Sequence, residues 1–245
     1  MTRRLRVGNP EPAYYRLQKQ IQNDIETGRL PPGERIQAER LLAENHRVSV
    51  GTVTKAILNL VHEGYLHRVQ GCGTFVAGTK LKRENLRYYK YHRDFEDTEL
   101  DLRVELLDRS FITAPIPIAK HLKIPEGGMV FELKRLILSE DAPLTLSVSY
   151  LPEKMFKRFD EMPSNRLERI PLYMTIEEEY KIPTIVNREL ISAISADTDI
   201  AAILHLEPES PILLIEMLSF TYKNRPYEYR KSYCSTFLRK ILREY

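Results

Sequence analysis

The sequence predicts an α+β chain in two parts, three short helices closed by a hairpin and then a larger sheet domain built from a repeated unit. Three observations carry this reading. Apolar residues recur at helical spacing three times before residue 64 and then give way to two short alternating stretches. After residue 95 a helix-hairpin pattern occurs twice, displaced by 82 and then 83 residues. Charge divides the same way: residues 1–93 hold 17 Lys and Arg against 8 Asp and Glu, a balance of +9, and the remainder holds 20 against 26, a balance of −6. The basic segment suits a polyanion, whose phosphates it can neutralise, and the acidic remainder must point away from one.

With 42% hydrophobic and 29% charged residues over 245, the chain is rich enough for a real core, which excludes disorder and collagen-like repeats. No apolar run approaches the roughly 18 residues of a membrane span. The basic start Met1-Thr2-Arg3-Arg4-Leu5-Arg6 lacks the apolar stretch of a secretory signal, so a cytoplasmic protein with no membrane partner is expected. The two cysteines, Cys72 and Cys234, fall in different expected domains and can build neither a disulfide framework nor a zinc site. Reduced thiols, no metal and no cofactor are expected.

In order along the chain, Leu17, Ile21 and Ile25 with Tyr15 read as the inward stripe of a helix over 12–27, stopped by Gly28. After the turn Leu30-Pro31-Pro32-Gly33, a second helix fits 38–45 with Leu41 and Leu42 inward. The short link His46-Arg47-Val48 leads to a third, capped by Ser49, carrying Val53, Ala56, Ile57, Leu60 and Val61 and stopped at Gly64. Strands at 65–69 and 74–77 join through Gln70-Gly71-Cys72-Gly73, whose glycines permit positive backbone angles. This is a winged helix-turn-helix. Its third helix should present its start to the major groove of double-stranded DNA through Ser49, Val50, Gly51, Thr52, Thr54 and Lys55, small or hydroxylated residues and one cation. The wing tip, Gln70, Gly71 and Gly73, should follow the adjacent minor groove.

Residues 12–78 resemble the DNA-binding domain of the GntR family of bacterial transcription regulators. The matching stretches are Gly28-Arg29-Leu30-Pro31-Pro32-Gly33-Glu34-Arg35, Glu39-Arg40-Leu41-Leu42-Ala43, Val48-Ser49 with Thr52-Val53, Ala56 and Leu60, and Glu63-Gly64-Tyr65-Leu66 with Gly71-Cys72-Gly73-Thr74-Phe75-Val76. The resemblance implies that Arg40 touches DNA, that the start of the third helix reads bases and that Gly71–Gly73 contact the minor groove. Three departures stand out: Gln37-Ala38 replaces the usual Pro-Ser, Val50 and Thr54 replace arginines, and Cys72 replaces a basic residue. Arginine bidentate to guanine is worth about 1–3 kcal/mol of discrimination, whereas Val50 offers only an apolar contact, so the operator should depart from a guanine-containing core. Cys72 reads as a tolerated loop residue, with a redox switch at the wing tip as the alternative.

Residues 79–94, with Lys80, Lys82, Arg83, Arg87, Lys90 and Arg93 among Tyr88, Tyr89 and Tyr91, read as a basic connector. That divides the chain into 1–78, a linker 79–94 and 95–245. In the repeat, Ile118, Ala119, Leu122 and Ile124 recur as Ile200, Ala201, Leu204 and Leu206, and Pro143, Ser149 and Tyr150 as Pro226, Ser232 and Tyr233. Each copy predicts a preceding strand (102–112, 187–195), a short helix (117–122, 198–204), a long strand (129–139, 211–222) and its antiparallel partner (144–150, 227–235), with helical segments at 152–160 and 172–180 between them. An antiparallel or mixed sheet with a ligand crevice between the copies follows.

This second part resembles the UTRA effector-binding domain, which shares the chorismate lyase fold and marks the HutC subfamily. Its anchors are Lys134-Arg135-Leu136, Pro143, Ser149-Tyr150-Leu151-Pro152, Leu172-Tyr173 and Pro226-Tyr227-Glu228. The resemblance implies effector contacts at Arg135, Tyr173 and Glu228, respectively a donor fork, a hydroxyl or stacking surface, and an acceptor. Ile137, Pro171 and Cys234 stand where sugar-phosphate sensors carry arginine, serine and tyrosine, which points to a less charged or more apolar effector. The function expected is a transcription regulator, in repressor mode, controlled by a small-molecule effector and acting as a homodimer on a palindromic operator. An enzyme on the lyase-like fold and a nonspecific architectural DNA-binding protein are the alternatives. The histidines are scattered, however, and no nucleophile elbow or phosphate loop occurs.

Overall fold

A computed structural model describes residues 11–78, 90–96, 100–140, 142–169, 171–237 and 239–242. The chain divides into two compact units, Met1–Lys80 and Leu81–Tyr245. In the first, α1 (Ala13–Glu26), α2 (Glu39–His46) and α3 (Val50–His62) precede β1 (Leu66–Val69) and β2 (Gly73–Val76). Helix α3 is the hub, packed against α1, α2 and β1, with Val53, Ala56, Ile57 and Leu60 fully buried. Leu17, Ile21 and Ile25 of α1 are buried with them, spaced by fours on one stripe.

Two expected inward residues point out. Tyr15 is exposed because a step of two residues from Leu17, at about 100° each, carries it round to the far side of α1. Leu41 is exposed because so short a helix buries only the narrow face holding Leu42 and Ala43. The polar residue that does enter this core is Gln18, whose amide donates to Glu63 at 2.8 Å and accepts from Asn59 at 2.9 Å, so both ends of the amide have a partner. The phenol of Tyr65 donates to Glu26, and burial pushes its pKa up.

The wing has a third member. Val76 N–H donates to Glu34 O at 2.8 Å and Ile36 N–H to Thr74 O at 3.0 Å, so residues 34–36 brace β2. At Gly73 φ is +124°, and a Cβ there would stand 2.8 Å from Nε of Arg35; only glycine fits.

The second unit runs β3 (Lys90–His92), β4 (Arg103–Thr113), α4 (Ile116–Leu122), β5 (Met129–Ser139), β6 (Ala142–Pro152), α5 (Ser164–Leu167), α6 (Leu172–Tyr180), β7 (Val186–Ser195), α7 (Thr198–Ile203), β8 (Pro211–Thr221), β9 (Arg225–Cys234) and β10 (Lys240–Leu242). Six strands form one sheet in the order β4-β5-β6-β9-β8-β7, and every pair is antiparallel. Two three-stranded meanders therefore meet at β6 and β9 across a quasi-twofold axis. The axis can be placed from the register: Val148 pairs with Lys231, and these numbers differ by 83, the displacement of the repeat at this point. Helices α4 and α7 cover one face, where Ile118, Ala119 and Leu122 and their counterpart Leu204 pack on Val130, Leu136, Leu146 and Val148. Helices α5 and α6 cover the β5 side of the other face, over Phe131, Leu133, Leu151 and Tyr227.

Differences from the sequence expectation are local. Residues 152–160 contain two 3₁₀ turns, Glu153–Met155 and Phe159–Glu161, rather than a helix. Phe156 leaves the helical region at φ −122° and ψ 60°, and Arg158 is left-handed at φ +59°, so the chain bends twice while Phe156 and Phe159 both enter the core. Lys90–His92, expected within the linker, pair with Lys240–Leu242, and Tyr91 is buried. The remainder of the expected linker, 79–89, lies outside the described residues.

Candidate functional site

Three elements of the first unit meet around one carboxylate. Glu39, at the start of α2, accepts from Nη2 of Arg68 on β1 at 2.7 Å and from the hydroxyl of Thr54 on α3. The tip of α3, the start of α2 and the wing are thereby tied together, and the negative charge of Glu39 is offset by Arg68. Around this node Ser49, Val50, Gly51 and Lys55 are exposed, and Thr52 and Thr54 are half-buried. Ser49 caps α3, its hydroxyl accepting from Thr52 N–H at 3.1 Å. Replacing Ser49 by alanine should cost the first unit about 1 kcal/mol, read as a lowered melting midpoint.

Arg40 is 89% exposed in its side chain and only loosely paired, 3.5 Å from Glu44. Lys55 Nζ lies 4.0 Å from the centroid of the Tyr14 ring, so α1 positions this cation from below. Gln70 and Gly71 are exposed at the wing tip, Gly73 is half-buried, and Cys72 is an exposed free thiol. Sequence reading missed Tyr14, Arg35 and the tie made by Glu39. The glutamate was visible as an anchor, but its partners come from elements far apart in sequence.

Gly51 is informative for what does not surround it. Its φ is not positive, and an added Cβ would meet nothing closer than Ser49 Oγ at 3.9 Å. The protein's own packing gives no reason for glycine here, although glycine inside a helix is destabilising by roughly 0.5–1 kcal/mol relative to alanine. A surface that must approach α3 from outside does give one.

In the second unit the face beneath α6 carries a grid of buried polar groups. Reading across β5, β6, β9 and β8, the register rows are Ile137, Thr145, Cys234 and Leu213; Arg135, Ser147, Ser232 and Ile215; and Leu133, Ser149, Arg230 and Met217. Arg135 is fully buried and donates through Nη1 to the carbonyls of Leu167 and Arg169, at 3.1 and 3.2 Å, holding the segment that leads into α6. It is no surface ion pair. Glu228 accepts from Ser149 Oγ at 2.7 Å and Ser219 Oγ at 3.5 Å, with Nε of Arg230 3.7 Å away. Tyr173 is half-buried in the first turn of α6.

Arg135 and Glu228 thus share a face two strands apart, and Tyr173 stands on the helix that covers it. Ser147, between them, is the residue that sequence reading missed. Its side chain is buried, and its hydroxyl has no hydrogen-bond partner among the described residues. A buried hydroxyl left open costs about 1–3 kcal/mol, a penalty that a bound ligand would cancel. Ile137 and Cys234, the apolar departures, line the same face; burial pushes the Cys234 thiol pKa up, which keeps it protonated. A cleft of about 540 Å³ lined by Phe111, Phe131, Phe156, Lys154 and Lys157 lies towards β4 and contains none of the expected effector residues.

Comparison with known proteins agrees with both halves. Residues 13–76 match the family described as bacterial regulatory proteins, gntR family, and residues 98–236 match the UTRA domain. Over 96% of the chain the sequence is 33% identical to an uncharacterized HTH-type transcriptional regulator of Bacillus subtilis, YurK, covering 93% of that protein. The HTH-type transcriptional repressor NagR of the same organism is 27% identical over 91% of the chain and 90% of its own length. Among solved structures, the ligand-binding domain of a protein assigned to the GntR family in Bordetella bronchiseptica superposes with a TM-score of 0.59 at 25% identity, covering 65% of this chain and 98% of that one.

Proposed function

The chain belongs to the gntR family of bacterial regulatory proteins and has the HutC-like arrangement with a UTRA domain; on that premise we propose that the tip of α3 reads operator bases while a metabolite held over the Arg135 face decides whether it can. A DNA-binding regulator under metabolite control follows from the two domains. The finer reading is ours. The base-reading positions are Val50, Gly51, Thr52 and Thr54; Ser49, Arg40 and Lys55 engage phosphates; and Gln70, Gly71 and Gly73 follow the minor groove. Two copies bind a palindromic operator in the cytoplasm, in repressor mode. The protein is not an enzyme.

The observation that carries the DNA half is Gly51, a glycine that its own fold does not require. Replacing Gly51 by alanine should therefore stabilise the first unit by roughly 0.5–1 kcal/mol and at the same time weaken operator binding, because the new methyl group faces the groove. Thermal melting and a gel-shift titration read the two signs separately, and a variant that is stabilised and binds normally would remove Gly51 from the interface. Replacing Thr54 by arginine breaks its hydroxyl bond to Glu39 and places a guanidinium in the groove. It should change base preference more than overall affinity, scored by competition among operator variants.

For the effector half, the open Ser147 hydroxyl between Arg135 and Glu228 supports a ligand with a few polar groups, and Ile137 and Cys234 support one less charged than a phosphorylated sugar. A ligand couples to DNA only if it binds one arrangement of the winged domains better than another. Footprinting on the DNA flanking the protein's own gene tests the whole reading. A protected inverted repeat that is released by one metabolite supports it, and uniform protection without sequence preference supports an architectural role instead.

A further inference from the structure

The tip of the wing has no cation of its own. Gln70-Gly71-Cys72-Gly73 is uncharged, and Arg68, one residue further back on β1, is held by Glu39 at 2.7 Å. Charge reaches the tip instead from the segment that braces β2. Arg35 forms an antiparallel bridge with Phe75, so its side chain leaves on the face of the wing shared by His67 and Phe75, opposite to the face on which Leu66 and Val76 enter the core. The rings of His67 and Phe75 stack there with centroids 5.8 Å apart. The next residue on that face towards the tip is Gly73, and the Arg35 side chain runs across the place its side chain would fill. Nε, Nη2 and Cζ of Arg35 lie 2.8, 3.3 and 3.4 Å from where a Cβ would stand. Arg35 is exposed, and its guanidinium makes no hydrogen bond or ion pair among the described residues. A planar fork of donors is thus laid along the hairpin with its hydrogen bonds unspent.

We propose that Arg35 enters the minor groove beside the wing tip and selects A·T pairs at the flank of each half-site, by the shape and potential of the groove. This rests on the regulator reading, which lays Gln70, Gly71 and Gly73 along that groove. A group laid against Gly73 then lies within the groove, whereas Arg40 and Lys55, carried on helices, stand at its phosphate walls. A·T runs narrow the minor groove and deepen its negative potential, which draws in a guanidinium, while G·C pairs place the guanine 2-amino group in the floor. Arg35 therefore gives the protein a base preference at positions that α3 does not reach.

The test uses the full chain and duplexes that it selects from a random pool. At the flanking pairs under the wing, replacing A·T by G·C should lower affinity about tenfold, whereas replacing A·T by inosine·C should leave it within about twofold. Inosine keeps the major-groove edge of guanine and lacks its 2-amino group, so it isolates readout from the minor groove. Arg35→Ala should bind the parent's best duplex about tenfold more weakly and treat the three flanks alike, with an unchanged melting midpoint. Arg35→Lys keeps the charge without the fork, and should restore the salt slope but only part of the A·T preference. Indifference of the parent to the flank, equal penalties for G·C and inosine·C, or an A·T preference that survives in Arg35→Ala overturns the proposal. Survival of that preference with weaker binding on every flank would make Arg35 a phosphate contact, or a brace of the wing if the melting midpoint also fell. Each of these leaves the regulator reading standing. A parent that enriches no sequence at all would strike that reading, and Arg35 with it.

Discussion

Replacing Arg135 by alanine is expected to abolish the effector response and also to destabilise the second unit by about 3–5 kcal/mol, because it removes a fully buried guanidinium and strips two carbonyls of their donor. For a unit of this size that is a drop of roughly 10 °C in its unfolding midpoint. Loss of response alone would then not separate recognition from collapse of the α5–α6 segment. Ser147 makes the separation. Ser147→Ala removes a buried hydroxyl that has no partner among the described residues, so stability should hold or rise slightly while the response to the metabolite weakens. Full response in Ser147→Ala would move the effector away from this face, whatever Arg135→Ala did.

The second large effect is expected at the DNA surface. Replacing Lys55 by alanine should weaken operator binding at least about tenfold at moderate salt and should flatten the salt dependence, by roughly one unit of slope for each phosphate no longer neutralised. Geometry gives the reason: Lys55 is exposed beside the tip of α3, and its ammonium is carried on the ring of Tyr14 at 4.0 Å, with no ion pair to a carboxylate among the described residues. Arg40→Ala should behave alike, since its pairing with Glu44 at 3.5 Å is weak. Arg68 should not, because its guanidinium is already committed to Glu39 at 2.7 Å. Titrations of both variants at several salt concentrations read affinity and slope together, and an unchanged slope would contradict the docking of α3.

Much of the fold is legible in the sequence, for reasons that can be named. Residues 172–180 have the same bounds in both, and the strands around the repeat agree within one or two residues, because long alternating runs between turn residues leave little freedom. The repeat discloses more than either copy alone, since the 83-residue displacement places the sheet's axis at Val148 and Lys231. What stays hidden is held by contacts between distant segments. The three-residue strands of β3 and β10 are too short to show a period, and the basic neighbours of Tyr91 read as linker. Leu41 misleads because two adjacent leucines on a two-turn helix do not declare which of them faces inward. Arg135 is reached by resemblance, but a buried arginine looks like any other in a sequence, and Ser147 gives no signal because an open hydroxyl exists only once strands are assembled.

The regulator reading stands on the tip of α3 lying against base edges although valine and threonine occupy positions where its family carries arginine. Selection of bound duplexes from a random pool by the full chain, run in parallel for Thr54→Arg, is the sharpest test. The parent should enrich an inverted repeat, and the variant a repeat altered at one symmetric pair of positions, with guanine gained there. Enrichment of no sequence by the parent, or of the same repeat by both proteins, would contradict that placement.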